Sequence, residues 1–167
     1  MILVGGGSRS GKSSAALRML RAAGPRQGFI ATAQAWDDEM RERIRVHRTE
    51  RGPEITTWEE PFDVAARLAA EDDRYDAIVV DCLTLWLSNV MLAEDRDVAE
   101  ECSRLVEVAG NAKTQVILVT NEVGCGIVPD NALARRFRDQ AGRLNQMAAE
   151  RADELHWMIF GIGLRIK

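Results

Sequence analysis

At 167 residues, with 46% hydrophobic and 29% charged residues, the chain is long enough to bury a core of its own and reads as a single soluble domain over residues 1–167. A net charge of −4 offers no general attraction to nucleic acid or an anionic membrane, so neither partner is expected. Cys82, Cys102 and Cys125 are odd in number and form no C-x-x-C pair, which speaks against a disulfide framework or zinc site and for a reducing cytoplasm.

The first apolar run, Ile2-Leu3-Val4, is short enough for a strand and leads straight into Gly6-Gly7-Ser8-Arg9-Ser10-Gly11-Lys12-Ser13. No signal peptide is read ahead of it, and no apolar run is long enough for a membrane span. Strand, glycine-rich loop and the helical pattern from Ser14 to Leu20 give the G-x-x-x-x-G-K-S spacing of a phosphate-binding P-loop. Gly6 and Gly11 permit the tight turns that aim backbone N–H groups at one phosphate chain. The helix adds its positive end, Lys12 reaches the terminal phosphates, and the Ser13 hydroxyl is placed for Mg²⁺. Only Lys12, Lys113 and Lys167 are lysines among 22 basic residues, so this arginine-using chain has a compact ammonium where a P-loop needs one.

Gly24-Pro25 ends that helix, and Gly28 to Ala33 reads as a second strand whose small, polar end suits ligand contact. Asp37-Asp38 opens a helix carrying Met40, Ile44 and His47 at helical spacing. Its arginines are either a solvated face interleaved with glutamates or contacts for phosphate. Ile55 to Trp58 is a further strand, with a helix expected from Pro61 to about Glu71. Asp76 to Asp81 is an apolar run ending in aspartate, the form of a buried parallel strand with a Walker B carboxylate. Leu83 to Leu92 is an apolar helix or subunit contact, and another helix runs to about Ala109. The strand Gln115 to Thr120 delivers Asn121-Glu122-Val123-Gly124 to the same sheet edge, facing the ligand crevice. A helix from about Asn131 to Ala152, with Leu133, Phe137, Ala141 and Leu144 as its apolar stripe, precedes a hairpin at the C-terminus. Strands alternating with helices around a P-loop mean an α/β fold, a mostly parallel sheet with helices on both faces.

A P-loop without an N-K-x-D stretch points away from regulatory GTPases and towards a small kinase or nucleotidyl transferase, with a nucleotide-binding switch or assembly protein as the other class. The ordered set Ile30-Ala31-Thr32-Ala33, Asp38-Glu39-Met40 with Arg43-Ile44 and His47, Glu59-Glu60-Pro61, Asp81-Cys82-Leu83-Thr84, Thr120-Asn121-Glu122-Val123-Gly124, Gly126 to Pro129 and Phe137-Arg138-Asp139 goes further. With the P-loop, it resembles the bifunctional adenosylcobinamide kinase / adenosylcobinamide-phosphate guanylyltransferase family over nearly the whole chain. The resemblance implies a RecA-like P-loop NTPase fold, a homotrimer, ATP or GTP as substrates with Mg²⁺, and two reactions. One phosphorylates the aminopropanol hydroxyl of adenosylcobinamide; the other transfers GMP from GTP to that phosphate through a guanylylated histidine. His47 matches that histidine, although its spacing alone fits a structural residue at the margin of a helix face. The resemblance also places nucleotide contacts at Gly6, Gly7, Ser8, Arg9, Ser10, Gly11, Lys12, Ser13, Ala31, Thr32, Ala33, Arg48, Thr49, Glu50, Arg51, Glu59 and Asp81. Ser13 and Asp81 are the metal positions. The alternative left by the residues themselves is a kinase of another small alcohol, with His47 structural. His156 is read as structural.

Overall fold

The computed structural model describes residues 1–35 and 37–167, apart from the side chains of Arg43 and Glu50. In chain order the elements are β1 (Ile2–Gly6), α1 (Lys12–Ala23), β2 (Gln27–Ala31), α2 (Asp38–Arg51), β3 (Thr56–Glu59), α3 (Val64–Glu71) and β4 (Ala77–Asp81). There follow α4 (Leu83–Leu92), α5 (Val98–Asn111), β5 (Gln115–Val119), α6 (Ala132–Arg151), β6 (Glu154–Ile159) and β7 (Ile162–Arg165). The strands form one sheet in the order β3-β2-β4-β5-β1-β6-β7. Every neighbouring pair is parallel except the C-terminal hairpin of β6 and β7.

The central strands are apolar between their ends because both sheet faces are covered. Ile2, Val4, Phe29, Val79, Ile117 and Val119 pack with Ala16, Leu17 and Leu20 of α1. The alternate residues Leu3, Ile30, Ile78, Val80, Val116 and Leu118 pack with α3, α4, α5 and α6 on the other face. Each fully buried aliphatic of this kind contributes about 1.5–3 kcal/mol relative to exposure. Trp86 of α4 lies in the second cluster, and its indole N–H donates to the Phe62 carbonyl at 2.8 Å, so the ring is buried without an unpaired donor. Helix starts follow their side chains. Asp37 accepts from Met40 N at 2.7 Å, Asp97 from Ala99 N at 2.8 Å, and Asn131 from Ala134 N at 2.7 Å.

The sequence reading is corrected at α3 and at α6, and β2 ends at Ala31, two residues before the expected Ala33. α3 begins at Val64, not Pro61, because the Glu60 carboxylate accepts from Phe62 N at 3.3 Å and Asp63 N at 3.0 Å and folds these residues into a turn. Leu133, expected on the buried stripe of α6, is 55% exposed; the buried face of that helix is Ala141, Leu144 and Ala148.

Register brings the site together. Ala31 pairs with Asp81 and Asp81 with Val119, so three strands end level with one another, and β1 continues into the P-loop beside them. This is the C-terminal edge, where ligands lie in open parallel sheets.

Candidate active site

The P-loop owes its shape to two glycines. Gly6 has φ +147°, and a Cβ there would lie 2.6 Å from the Met158 carbonyl oxygen and 2.8 Å from Ser10 Oγ. Gly11 has φ +95°, with its Cβ position 3.1 Å from Gly161 Cα. The turn of the C-terminal hairpin thus buttresses the loop, and Gly161 N donates to the Ser10 carbonyl at 3.0 Å. α1 starts at Lys12 with no side-chain cap and no acidic residue in its first turn, which leaves the positive helix end to an anion.

Lys12 is buried, and its Nζ donates to the Gly7 carbonyl at 2.5 Å and Ser10 Oγ at 3.4 Å. Burial pushes its pKa down, opposed by the nearby Cys82 and Asp81. The Asp81 carboxyl is pushed up by burial, against the opposing hydrogen bond from Ser13 and the charges of His47, Arg51 and Lys12. Next to it, burial and Asp81 push the Cys82 thiol up to about 11, so it stays protonated at neutral pH.

α2 forms one wall. Met40, Ile44, His47 and Arg51 recur at helical spacing, and all four line the cleft. Arg51 anchors the end of that wall. Its guanidinium lies 4.3 Å from the centre of the Phe29 ring, and its Nε donates to the His47 carbonyl at 3.0 Å. Its Nη1 is buried without a hydrogen-bond partner. The other wall comes from the segment after β5. Glu122 N donates to the Gly6 carbonyl at 3.1 Å, and Asn121 is held by the Thr84 hydroxyl through its backbone N at 3.0 Å and its side-chain amide at 3.1 Å.

The resulting cleft has a volume of roughly 620 Å³. Of the positions indicated by the sequence, Ser8, Arg9, Ser10, Gly11, Lys12, Ser13, Ala31, Ala33, His47, Arg51, Glu59 and Asp81 line it. Gly6 and Gly7 are not part of this lining; Gly6 sits tightly against Met158 and Ser10, and the exposed Gly7 supplies the carbonyl that accepts from Lys12. Thr32 is fully buried, and its hydroxyl donates to the Cys82 carbonyl and accepts from Cys82 N, both at 2.8 Å, which ties the end of β2 to the end of β4. Arg48 and Thr49 line a separate hollow with Gly52 and Pro53. There Arg48 lies 3.4 Å from Glu59, and the Thr49 hydroxyl donates to the Arg45 carbonyl at 3.0 Å. The Glu50 side chain is outside the described residues. His156 pairs with Glu154 at 3.0 Å on β6 and does not line the cleft.

Phe29, Cys82 and Leu85 also line the cleft, and sequence reasoning does not single them out as ligand contacts. Phe29 is findable, because it lies two residues before Ala31 on one strand and so shares its face. Leu85 is hidden in a run of apolar residues with nothing to separate wall from core.

Among the described residues, no group of three or more His, Cys, Asp or Glu could hold a metal by itself. Ser13 and Asp81 together offer hard oxygen donors at the cleft floor. That set suits Mg²⁺ shared with phosphate, since this ion keeps several waters and takes few protein ligands.

The family model described as cobinamide kinase / cobinamide phosphate guanyltransferase matches residues 2–166. The bifunctional adenosylcobalamin biosynthesis protein CobP of Pseudomonas aeruginosa is 42% identical over 166 residues, covering 99% of this chain and 96% of the relative. CobU of Salmonella typhimurium, named in the same way, is 40% identical over 181 residues, covering 100% of this chain and 99% of the relative. Among solved structures, an ATPase domain is similar with a TM-score of 0.50 at 10% identity, over 93% of this chain and 68% of that one. A Pyrococcus horikoshii OT3 protein is similar with a TM-score of 0.53 at 9% identity, over 100% of this chain and 85% of that one. These structural likenesses show the fold, that of a RecA-like P-loop NTPase. The chain belongs to the cobinamide kinase / cobinamide phosphate guanyltransferase family.

Proposed function

We propose that this family member runs both of its reactions in the one cleft, with Lys12 holding the triphosphate in each and His47 carrying the guanylyl group in the second. The carrying observation is that P-loop, Walker carboxylate and His47 line the same cleft. In the kinase reaction the aminopropanol hydroxyl of adenosylcobinamide attacks the γ-phosphorus of ATP or GTP, and the nucleoside diphosphate leaves. Loop N–H groups, the α1 N-terminus and Lys12 oppose the charge that spreads over the phosphate oxygens. In the transferase reaction an imidazole nitrogen of His47 attacks the α-phosphorus of GTP and pyrophosphate leaves. A phosphate oxygen of adenosylcobinamide phosphate then attacks the same phosphorus, the P–N bond breaks, and His47 is restored. The Arg51 guanidinium, one helical turn from His47 on the same cleft wall, suits an oxyanion contact in this reaction. Mg²⁺ held by Ser13 and Asp81 would supply charge neutralisation at the phosphates.

The reading extends to assembly and place. The exposed apolar side chains Ile127, Val128 and Leu133 near the start of α6, and Phe160, Ile162 and Leu164 on the hairpin, offer surface for self-association as a homotrimer. A sedimentation mass of one chain would refute the trimer. The free thiols Cys82, Cys102 and Cys125 suit a reducing cytoplasm, and no helix among the described residues is long and apolar enough to cross a membrane. A purified chain that gained a disulfide on secretion and worked only in that form would argue otherwise.

The test of function is consumption of ATP and GTP with and without cobinamide. Cobinamide-dependent turnover of both half-reactions is expected. Transfer to a different alcohol with cobinamide ignored would replace the substrate, and nucleotide binding without turnover would replace the enzyme with a switch.

A further inference from the structure

Phosphoryl transfer to an alcohol requires that the attacking oxygen lose its proton, and the roles above leave that proton without an acceptor. Among the described residues, the cleft is lined by three carboxylates: Glu59, Asp81 and Glu122. Asp81 is engaged by the Ser13 hydroxyl and faces Lys12, Arg51 and His47, so it belongs to the metal side. Glu59 ends β3, the edge strand, and lies 3.4 Å from Arg48. Four strand spacings separate β3 from β1, about 19 Å at about 4.8 Å each, which sets it far from the phosphate end of the P-loop. The residue after the Walker carboxylate is Cys82, a buried thiol kept protonated.

Glu122 stands differently. It follows β5, the strand beside β1, and its own N–H donates to the carbonyl of Gly6, the first P-loop glycine, at 3.1 Å. One carboxylate oxygen, Oε1, accepts the Gly124 N–H, which fixes the side chain while it borders the cleft. Thr84 pins the preceding residue, Asn121, so the segment is set from both sides. Among the described residues, no other cleft carboxylate is tied to the P-loop backbone by its own residue's N–H.

We propose that Glu122 is the general base of the kinase half-reaction. As the bond from the substrate oxygen to the γ-phosphorus forms, the bond from that phosphorus to the β-bridging oxygen breaks and the nucleoside diphosphate departs with the electron pair. The hydroxyl proton passes to the Glu122 carboxylate and later to solvent. This rests on the kinase activity proposed above. It divides the cleft between two residues: Glu122 after β5 for the alcohol, and His47 on α2 for the guanylyl group.

Glu122→Gln in the full chain keeps the side-chain size and the acceptor for Gly124 N–H but cannot take a proton. A general base contributes roughly 10²–10⁴-fold. The kcat for cobinamide phosphorylation is therefore expected to fall by at least about 100-fold. The KM for nucleotide should change little, and the GTP-dependent GMP adduct should form to the wild-type extent. A kcat within a few-fold of wild type would overturn the assignment. So would equal loss of phosphorylation and adduct, which would make Glu122 a residue that merely shapes or folds the site. If the wild-type protein phosphorylates another alcohol and ignores cobinamide, the substrate reading fails while the same comparison still tests Glu122 on that alcohol.

Discussion

Lys12 is buried, its ammonium held by the Gly7 carbonyl and the Ser10 hydroxyl. These oxygens stand where phosphate oxygens would compete for it. Since burial holds its pKa below the ordinary value of 10.5, the charged form is lost at lower pH in the folded protein than in the unfolded chain. Between those two pKa values the unfolded state binds more protons, so unliganded stability rises with pH there. Triphosphate affinity should move the other way, because only the ammonium attracts phosphate. Titrating a non-hydrolysable GTP analogue from neutral pH upward should show weakening that begins below pH 10.5; an affinity flat to that value would contradict the burial argument. Lys12→Ala should remove both activities by several orders of magnitude, as one loop serves both half-reactions, and full retention of either would require a second triphosphate site. The P-loop is legible in the sequence because its chemistry dictates residue types at fixed spacing. Arg51 and Thr32 are legible only as members of an arginine-rich helix and of a strand end suited to ligands, and the sequence does not say that one leaves a buried Nη1 unpaired while the hydroxyl of the other is spent on the Cys82 backbone.

At the scale of elements, α4 does more than its apolar sequence announces. Asn89, buried in the middle of it, donates to the Thr32 carbonyl at 2.9 Å and the Pro61 carbonyl at 3.0 Å. It thereby fastens the ends of β2 and β3 to the helix that follows Asp81. Asn89→Leu would leave two carbonyls short of a donor and should cost about 1–3 kcal/mol in urea unfolding. Nucleotide affinity should fall with it, because Ala31 and Ala33 line the cleft on either side of Thr32. An unchanged midpoint would show that the clamp is redundant. The sequence makes α4 visible as a helix but not as a clamp, since a lone polar residue in an apolar run does not reveal its partners. The strands are easier to read, because the inner ones are short apolar or small-residue runs feeding one edge. The start of α3 escapes the sequence because Pro61 suits a first helical turn, whereas Glu60 instead closes a turn over Phe62 and Asp63.

Across the whole molecule, a sheet buried on both faces offers a rigid edge, and the P-loop, Asp81 and His47 line one cleft there. The hairpin packed against Ser10 and Gly11 makes the far end of the chain part of the loop that opens it. The central claim is that one cleft serves both reactions, with His47 as guanylyl carrier. Its most direct test is to incubate the protein with GTP and Mg²⁺, omitting cobinamide, and to read the intact mass. The account predicts a single added GMP, mapped to His47 by peptide sequencing, labile in acid, stable in base, and discharged by adenosylcobinamide phosphate. His47→Asn should form no adduct yet still bind GTP through the P-loop. An adduct undiminished in that variant, or one mapped to His156, would contradict the account.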